Sequence, residues 1–208
     1  MLETLQNSSL ILVALFAFVA AMTPGPNNIM LLSSGLTFGM RRTGPHMAGV
    51  AVGFFFLTTC IVLGLGAVIM AAPLARYALL VGGTLFMLYL AFKTITAPTD
   101  LKQREAKRPI RFWEAAAFQP INPKAWGFGV SYMALVMGAA PDGELTFWLA
   151  VFAIIVPQLT TAVSLFTWAG LGQAMSKLID SPRTVRVINV VLEMTLFLMV
   201  PLMFWSEL

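Results

Sequence analysis

Apolar runs long enough to cross a bilayer recur from one end of the chain to the other, separated by short polar stretches. A transmembrane helix needs about 20 mostly apolar residues. The pattern predicts such spans over Leu10–Leu36, Met47–Ala71, Tyr77–Ile95, Phe112–Gly138, Leu145–Leu171 and Val185–Trp205. Little chain is left outside them, so the predicted fold class is an all-α integral membrane protein with six transmembrane helices.

Composition agrees with the pattern. Of 208 residues, 59% are hydrophobic and 11% charged, against about 25% charged in an ordinary soluble domain. The net charge of +4 would suggest nucleic acid in a soluble protein, but here the basic residues sit in the short connections, where membrane topology explains them and no nucleic-acid partner is implied. Arg41 and Arg42 lie between spans one and two. Lys93, Lys102, Arg104, Lys107, Arg108 and Arg111 end span three or lead to span four, and Lys177, Arg183 and Arg186 separate spans five and six. The other side holds only Arg76, with Glu3, Asp142, Glu144 and Glu207. Basic connections face the cytoplasm, which places both termini outside. The opening MLETLQNSSL has an acid, no basic residue and no small-residue cleavage site, so the first run is expected to be retained as a helix.

The stretch TAPTDLKQREAKRPIRF, residues 96–112, is charged and proline-punctuated and divides the chain near its middle. It reads as a cytoplasmic linker (98–111) within a single transporter domain, joining half one (1–97) to half two (112–208). Three spans on each side place the halves in the bilayer in opposite senses, the 3+3 inverted repeat of many secondary transporters.

Two interruptions inside the spans carry the functional signal. Span one contains Thr23, Pro24, Gly25, Pro26, Asn27 and Asn28, and span four contains Gln119, Pro120, Asn122, Pro123 and Lys124. Both lie about halfway through their spans at about 1.5 Å per residue. A proline inside a helix removes an amide donor and clashes with the preceding turn, at about 3 kcal/mol or more. In hydrocarbon the freed carbonyls find no water, so such backbone survives only against protein or a wet cavity. Thr23 before Pro24, and Asn122 before Pro123, each read as an N-cap before a proline in the first helical position, which makes spans one and four broken helices that restart near the midplane. A helix N-terminus carries about half a positive charge and unpaired amides. Two of them converging, with Lys124 alongside, suit a small anion or a carboxylate. The freed carbonyls, with Asn27, Asn28, Gln119 and Asn122, would accept from an ammonium group, and a zwitterion such as an amino acid fits that pairing. The opposing explanation, that kinks in membrane helices serve packing alone, accounts for one break more easily than for two at matching depth.

Other polar residues are secondary. Glu193, inside span six, is a candidate for ion pairing or proton coupling, or a carboxylate facing headgroups. Gln158 beside Pro157 is a further candidate for the cavity wall. Glu114 and His46 are expected at solvated interfaces, and Trp113, Trp148 and Trp205 as interfacial anchors. Gly49 and Gly53 permit close helix packing and, with the tryptophans, leave room for a homodimer. The single Cys60 excludes an internal disulfide and a CxxC pair.

TPGPNN in span one and NPKAW in span four resemble the two signatures of the LysE/RhtB family of amino-acid exporters, bacterial inner-membrane proteins of similar length. The resemblance covers essentially the whole chain, including GMRRTGPHMAGVAVGF and the basic linker. MTPGPNNIMLLSSGLTFGMRRT, FQPINPKAW and FKTITAPT are most similar to the branch that exports cysteine and O-acetylserine. It implies a multi-pass protein of the bacterial cytoplasmic membrane exporting a small amino acid by proton antiport, with the paired prolines, Asn27, Asn28, Asn122 and Lys124 at the transport path. No cofactor and no metal site are expected.

Two other classes fit the sequence less well. An inorganic cation exporter would favour buried carboxylates, histidines or thiols, and this chain has one histidine and one cysteine. An intramembrane enzyme would need paired aspartates or a serine with histidine, but Asp100, Asp142 and Asp180 fall in connections and His46 is the lone histidine. The chain is therefore expected not to be an enzyme.

Overall fold

The computed structural model describes residues 2–74, 108–140 and 144–178, with scattered positions at 77–92 and 181–195. Among the described residues all regular structure is helical and there is no strand. Helix α1 spans Leu2–Met22, α2 Pro26–Val62 and α3 Leu65–Met70. After the linker come α4 (Phe112–Phe118), a 3₁₀ turn over Gln119–Ile121, α5 (Pro123–Gly138) and α6 (Phe147–Leu178). Two of these, α2 and α6, are long and apolar enough to cross a membrane. Spans three and six, with Glu193 and Trp205, lie wholly or largely outside the described residues, as does most of the linker.

The first correction concerns the connection around Arg41 and Arg42, expected as a loop. Helix α2 contains Gly39 at φ 76°, ψ 167°, a conformation open to glycine and strained for residues with a Cβ. There the chain folds back on itself. The Ser34 and Thr43 hydroxyls lie 2.9 Å apart, whereas nine residues of unbroken helix would separate them by about 13 Å. The expected spans one and two are thus the arms of a tight helical hairpin, and span two begins immediately after Gly39 rather than at Met47. Gln173 of α6 stands in for the missing loop, its Oε1 accepting from the Met40 amide at 2.7 Å. Arg41 and Arg42 are exposed at this corner. The second arm ends at Val62 rather than Ala71, because Gly64, at φ 98°, interrupts it before α3.

Packing explains where the small residues fall. A Cβ on Gly49 would overlap the Phe112 carbonyl and one on Gly53 the Ala116 carbonyl, so the second arm of α2 lies directly against α4. Gly35 and Gly172 do the same between the first arm and α6, against Ala169 and Leu32. Such close approach is how membrane helices associate where no hydrophobic driving force separates helix from lipid. Among the described residues three apolar cores form, one on Ile29, Leu31, Val50, Phe118 and Leu165, one on Val13, Ala17, Tyr132, Val136 and Ala153, and one on Phe54, Leu57, Ile61, Ala125 and Trp126.

Three placements differ from expectation. His46 is buried rather than solvated, at 1% exposure. Gln158 does not line the cavity described below, and its Nε2 is buried without a hydrogen-bond partner among the described residues. Helix α6 runs on to Leu178, past the expected end at Leu171. Glu114 lies half-buried at the start of α4, bonded to the Arg111 amide and paired with Arg108. Trp113 and Trp148 are exposed near the first residues of α4 and α6.

Candidate functional site

The break in span one is a stretch of non-helical backbone at Thr23–Gly25 between α1 and α2. Thr23 does not cap the next helix as expected. Its hydroxyl turns back to donate to the Val19 carbonyl at 2.7 Å, ending α1. The helix restarts two residues later, with Gly25 as N-cap, Pro26 in the first turn and no side-chain cap on the amides. Gly25 is extended (φ −168°, ψ 175°), so its dihedrals do not demand glycine. Space does: a Cβ there would stand 2.6 Å from Lys124 Cδ and 2.7 Å from Lys124 Nζ.

Three carbonyls at this break, those of Ala21, Thr23 and Pro24, find side-chain partners. Lys124 Nζ donates to the Thr23 carbonyl at 2.7 Å and to the Pro24 carbonyl at 3.3 Å. Asn28 Nδ2 donates to Ala21 and Thr23, and Ser164 of α6 donates to Ala21 at 2.7 Å. The C-terminal end of a helix carries about half a negative charge, so an ammonium is well placed at the end of α1. The sequence reading assigned these carbonyls to a ligand's ammonium. In the structure the protein's own lysine occupies them.

The break in span four is built differently. Asn122 is the N-cap of α5, Pro123 takes the first position, and the Asn122 side chain accepts from the Lys124 amide at 3.2 Å. The carbonyl of Pro120 accepts from Trp126 Nε1 at 2.7 Å. Expectation and structure agree on the cap and the proline, but this N-terminus is closed by its own asparagine.

A reciprocal amide pair ties the two breaks together. Asn27 Nδ2 donates to Gln119 Oε1 at 2.9 Å, and Gln119 Nε2 donates to Asn27 Oδ1 at 3.2 Å. Gln119 also donates to the Ala115 carbonyl at 2.9 Å. Residues 92 positions apart in sequence thus share one hydrogen-bonded junction, with Lys124 as a second bridge.

Beside the junction lies a cavity with about 550 Å³ of empty volume, part of it open to the surface. Gly25, Asn27, Asn28, Asn122 and Lys124 line it. Thr23, Pro24, Pro26, Gln119 and Pro123 do not, although Thr23, Pro24 and Gln119 bond to residues that do. The rest of the lining includes an apolar wall of Val50, Phe54, Ala125, Phe128 and Leu165, with Thr161 and Ser164 of α6. The sequence reading passed over this wall. Its residues lie on faces that only the hairpin and the α6 packing bring together.

Apolar helices broken at two points that meet over a half-polar cavity are the architecture of a membrane translocator, since non-helical backbone at membrane depth is tolerated where it lines such a space. The family model for the LysE type translocator matches residues 18–204, and the chain belongs to that family. Among curated proteins it is similar to the cysteine/O-acetylserine efflux proteins of Escherichia coli strain K12 and of Shigella flexneri, each 30% identical over 182 residues, 87% of this chain and 90% of theirs. The protein of the same name from Escherichia coli O1:K1 matches to the same extent. No solved structure matches the chain.

Proposed function

We propose that the protein exports a small amino acid from the cytoplasm, of the size of cysteine or O-acetylserine, by proton antiport through the cavity beside the two breaks. The relatives' names supply the substrate class. The observation that carries the reading is the junction itself, where the amide pair Asn27–Gln119 and the Lys124 bridge join two costly helix breaks over one cavity. A purely structural protein has no need of such a junction.

Within this reading the amides opening α2 receive the substrate carboxylate, since that N-terminus has no side-chain cap. The adjacent carbonyls of Thr23 and Pro24 suit an α-ammonium. Asn27, Asn28, Gln119 and Asn122 hold the two breaks in register, and Val50, Phe54, Phe128 and Leu165 face the substrate side chain. The chain crosses the bacterial inner membrane six times as two inverted halves of three spans, with both termini outside.

An efflux screen of all amino acids from cells expressing the protein tests the reading. Selective export of one or a few small neutral amino acids is expected. Export of none, with the protein present in the membrane, would refute it.

A further inference from the structure

We infer that Lys124 is a built-in competitor for the ammonium half of the substrate site, and that its displacement releases the proton exchanged for substrate. The inference rests on the functional reading above and adds the coupling group to it.

The break in span one is a two-ended receptor. On one side the last carbonyls of α1 form the negative end of a helix, and on the other the uncapped amides of α2 form a positive end. Three residues, Thr23 to Gly25, separate them. An α-amino acid carries its ammonium and carboxylate on one carbon, so a zwitterion spans such a break with each group on the end of matching polarity. In the structure the place for an ammonium beside that negative end is already filled, because Lys124 Nζ lies on the carbonyls of Thr23 and Pro24, the first two residues of the break. The missing Cβ of Gly25 leaves room for the lysine chain there.

A second ammonium competes with Lys124 for those two carbonyls, because like charges in a poorly screened cavity repel strongly and the substrate's own carboxylate is engaged by the α2 amides in this reading. Among the described residues that line the cavity there is no carboxylate and no ionisable group other than Lys124. The titratable and charged side chains described on the packed elements lie elsewhere. Arg41, Arg42, His46 and Cys60 sit along the second arm of α2, Glu114 with Arg108 and Arg111 near the start of α4, Tyr132 about two turns along α5, and Lys177 at the end of α6. A substrate ammonium therefore enters by expelling the lysine's charge. The N–H bond of the Lys124 ammonium breaks, the proton passes to water on the side from which substrate came, and a neutral amine remains. When substrate leaves on the far side, the amine takes a proton from that side and returns to the carbonyls. One amino acid moves out for one proton in.

The test is binding of O-acetyl-L-serine to the purified full-length protein, measured calorimetrically in buffers of different ionisation enthalpy between pH 6 and 7.5. For wild type about one proton is released per molecule bound, and because binding expels a proton, affinity rises with pH by up to about tenfold per unit. Lys124→Gln, with no proton to expel, binds with an affinity independent of pH and releases none. Lys124→Arg keeps its charge at every pH, so it binds at least tenfold more weakly, also without release. Size-exclusion profiles confirm that both variants are folded.

Wild-type binding without proton release overturns the inference and leaves the exporter reading standing. A folded Lys124→Gln that no longer binds also overturns it, because the lysine would then be a required partner of the carboxylate. The same proton released by Lys124→Gln overturns it as well and points to another carrier such as Glu193. No binding of O-acetylserine or L-cysteine to wild type sinks the functional reading and the inference together.

Discussion

The two helix breaks share a composition and differ in how they are satisfied. The break at Gln119–Asn122 is self-contained: Asn122 caps its own helix, Trp126 from the following turn takes the Pro120 carbonyl, and a 3₁₀ turn bridges the gap. The break at Thr23–Gly25 borrows more. Beside Asn28 from its own following turn, its carbonyls depend on Lys124 from α5 and Ser164 from α6, and its downstream amides have no side-chain cap. A self-capped break is a fixed anchor, whereas a break held by distant side chains can exchange them for a ligand. The asymmetry assigns scaffolding to one half of the chain and recognition to the other, a division that matching motifs conceal.

The largest effect should come from Gly25→Val, whose Cβ alone would stand 2.6 Å from the Cδ of Lys124. Export in proteoliposomes should fall by more than about tenfold, since the ammonium and two carbonyls lose partners worth about 1 to 3 kcal/mol each. Combining it with Lys124→Ala should add little further loss, and full additivity would show that the two residues do not act through one contact.

Next comes the contrast between asparagines. Asn28→Ala removes donors to Ala21 and Thr23 and the acceptor of Ser164, hydrogen bonds worth about 0.5 to 1.5 kcal/mol each, although Ser164 and Lys124 still pair the two carbonyls. Asn122→Ala removes only a helix cap, worth about 1 kcal/mol. Melting temperatures in detergent should drop more for the first than for the second, and the reverse order would break the distinction between borrowed and self-contained breaks. The smallest effect belongs to the amide pair joining them. A double-mutant cycle on Asn27→Ala and Gln119→Ala should give a coupling of at least about 0.5 kcal/mol in stability, and zero coupling would mean that the breaks are held together by other contacts.

Much of the break region was legible in the sequence because prolines and asparagines in an apolar run have few explanations. Asn122 before Pro123 announced a cap and a first turn, and both are present. Thr23 before Pro24 carried the same signal and misled, because a second proline two residues on offered a competing start and Gly25 made room for a lysine. The Gly39 hairpin was hidden by Arg41, Arg42 and Pro45, which read as a loop although Pro45 falls early enough in the second arm to be tolerated. His46, next to the expected start of span two, reads as an interfacial residue, yet the tight corner buries it. The apolar wall of Val50, Phe54, Phe128 and Leu165 left no local signal, since every span is apolar on all faces and only packing decides which face meets the cavity.

The most direct test of the break junction as the export site is efflux of O-acetylserine from preloaded proteoliposomes containing wild-type protein, Lys124→Ala or Asn27→Ala, each inserted to the same level. Wild type should empty the vesicles under an imposed proton gradient, while both variants should lose most of that flux. Variants that export as fast as wild type would contradict the assignment and move the transport path away from the two breaks.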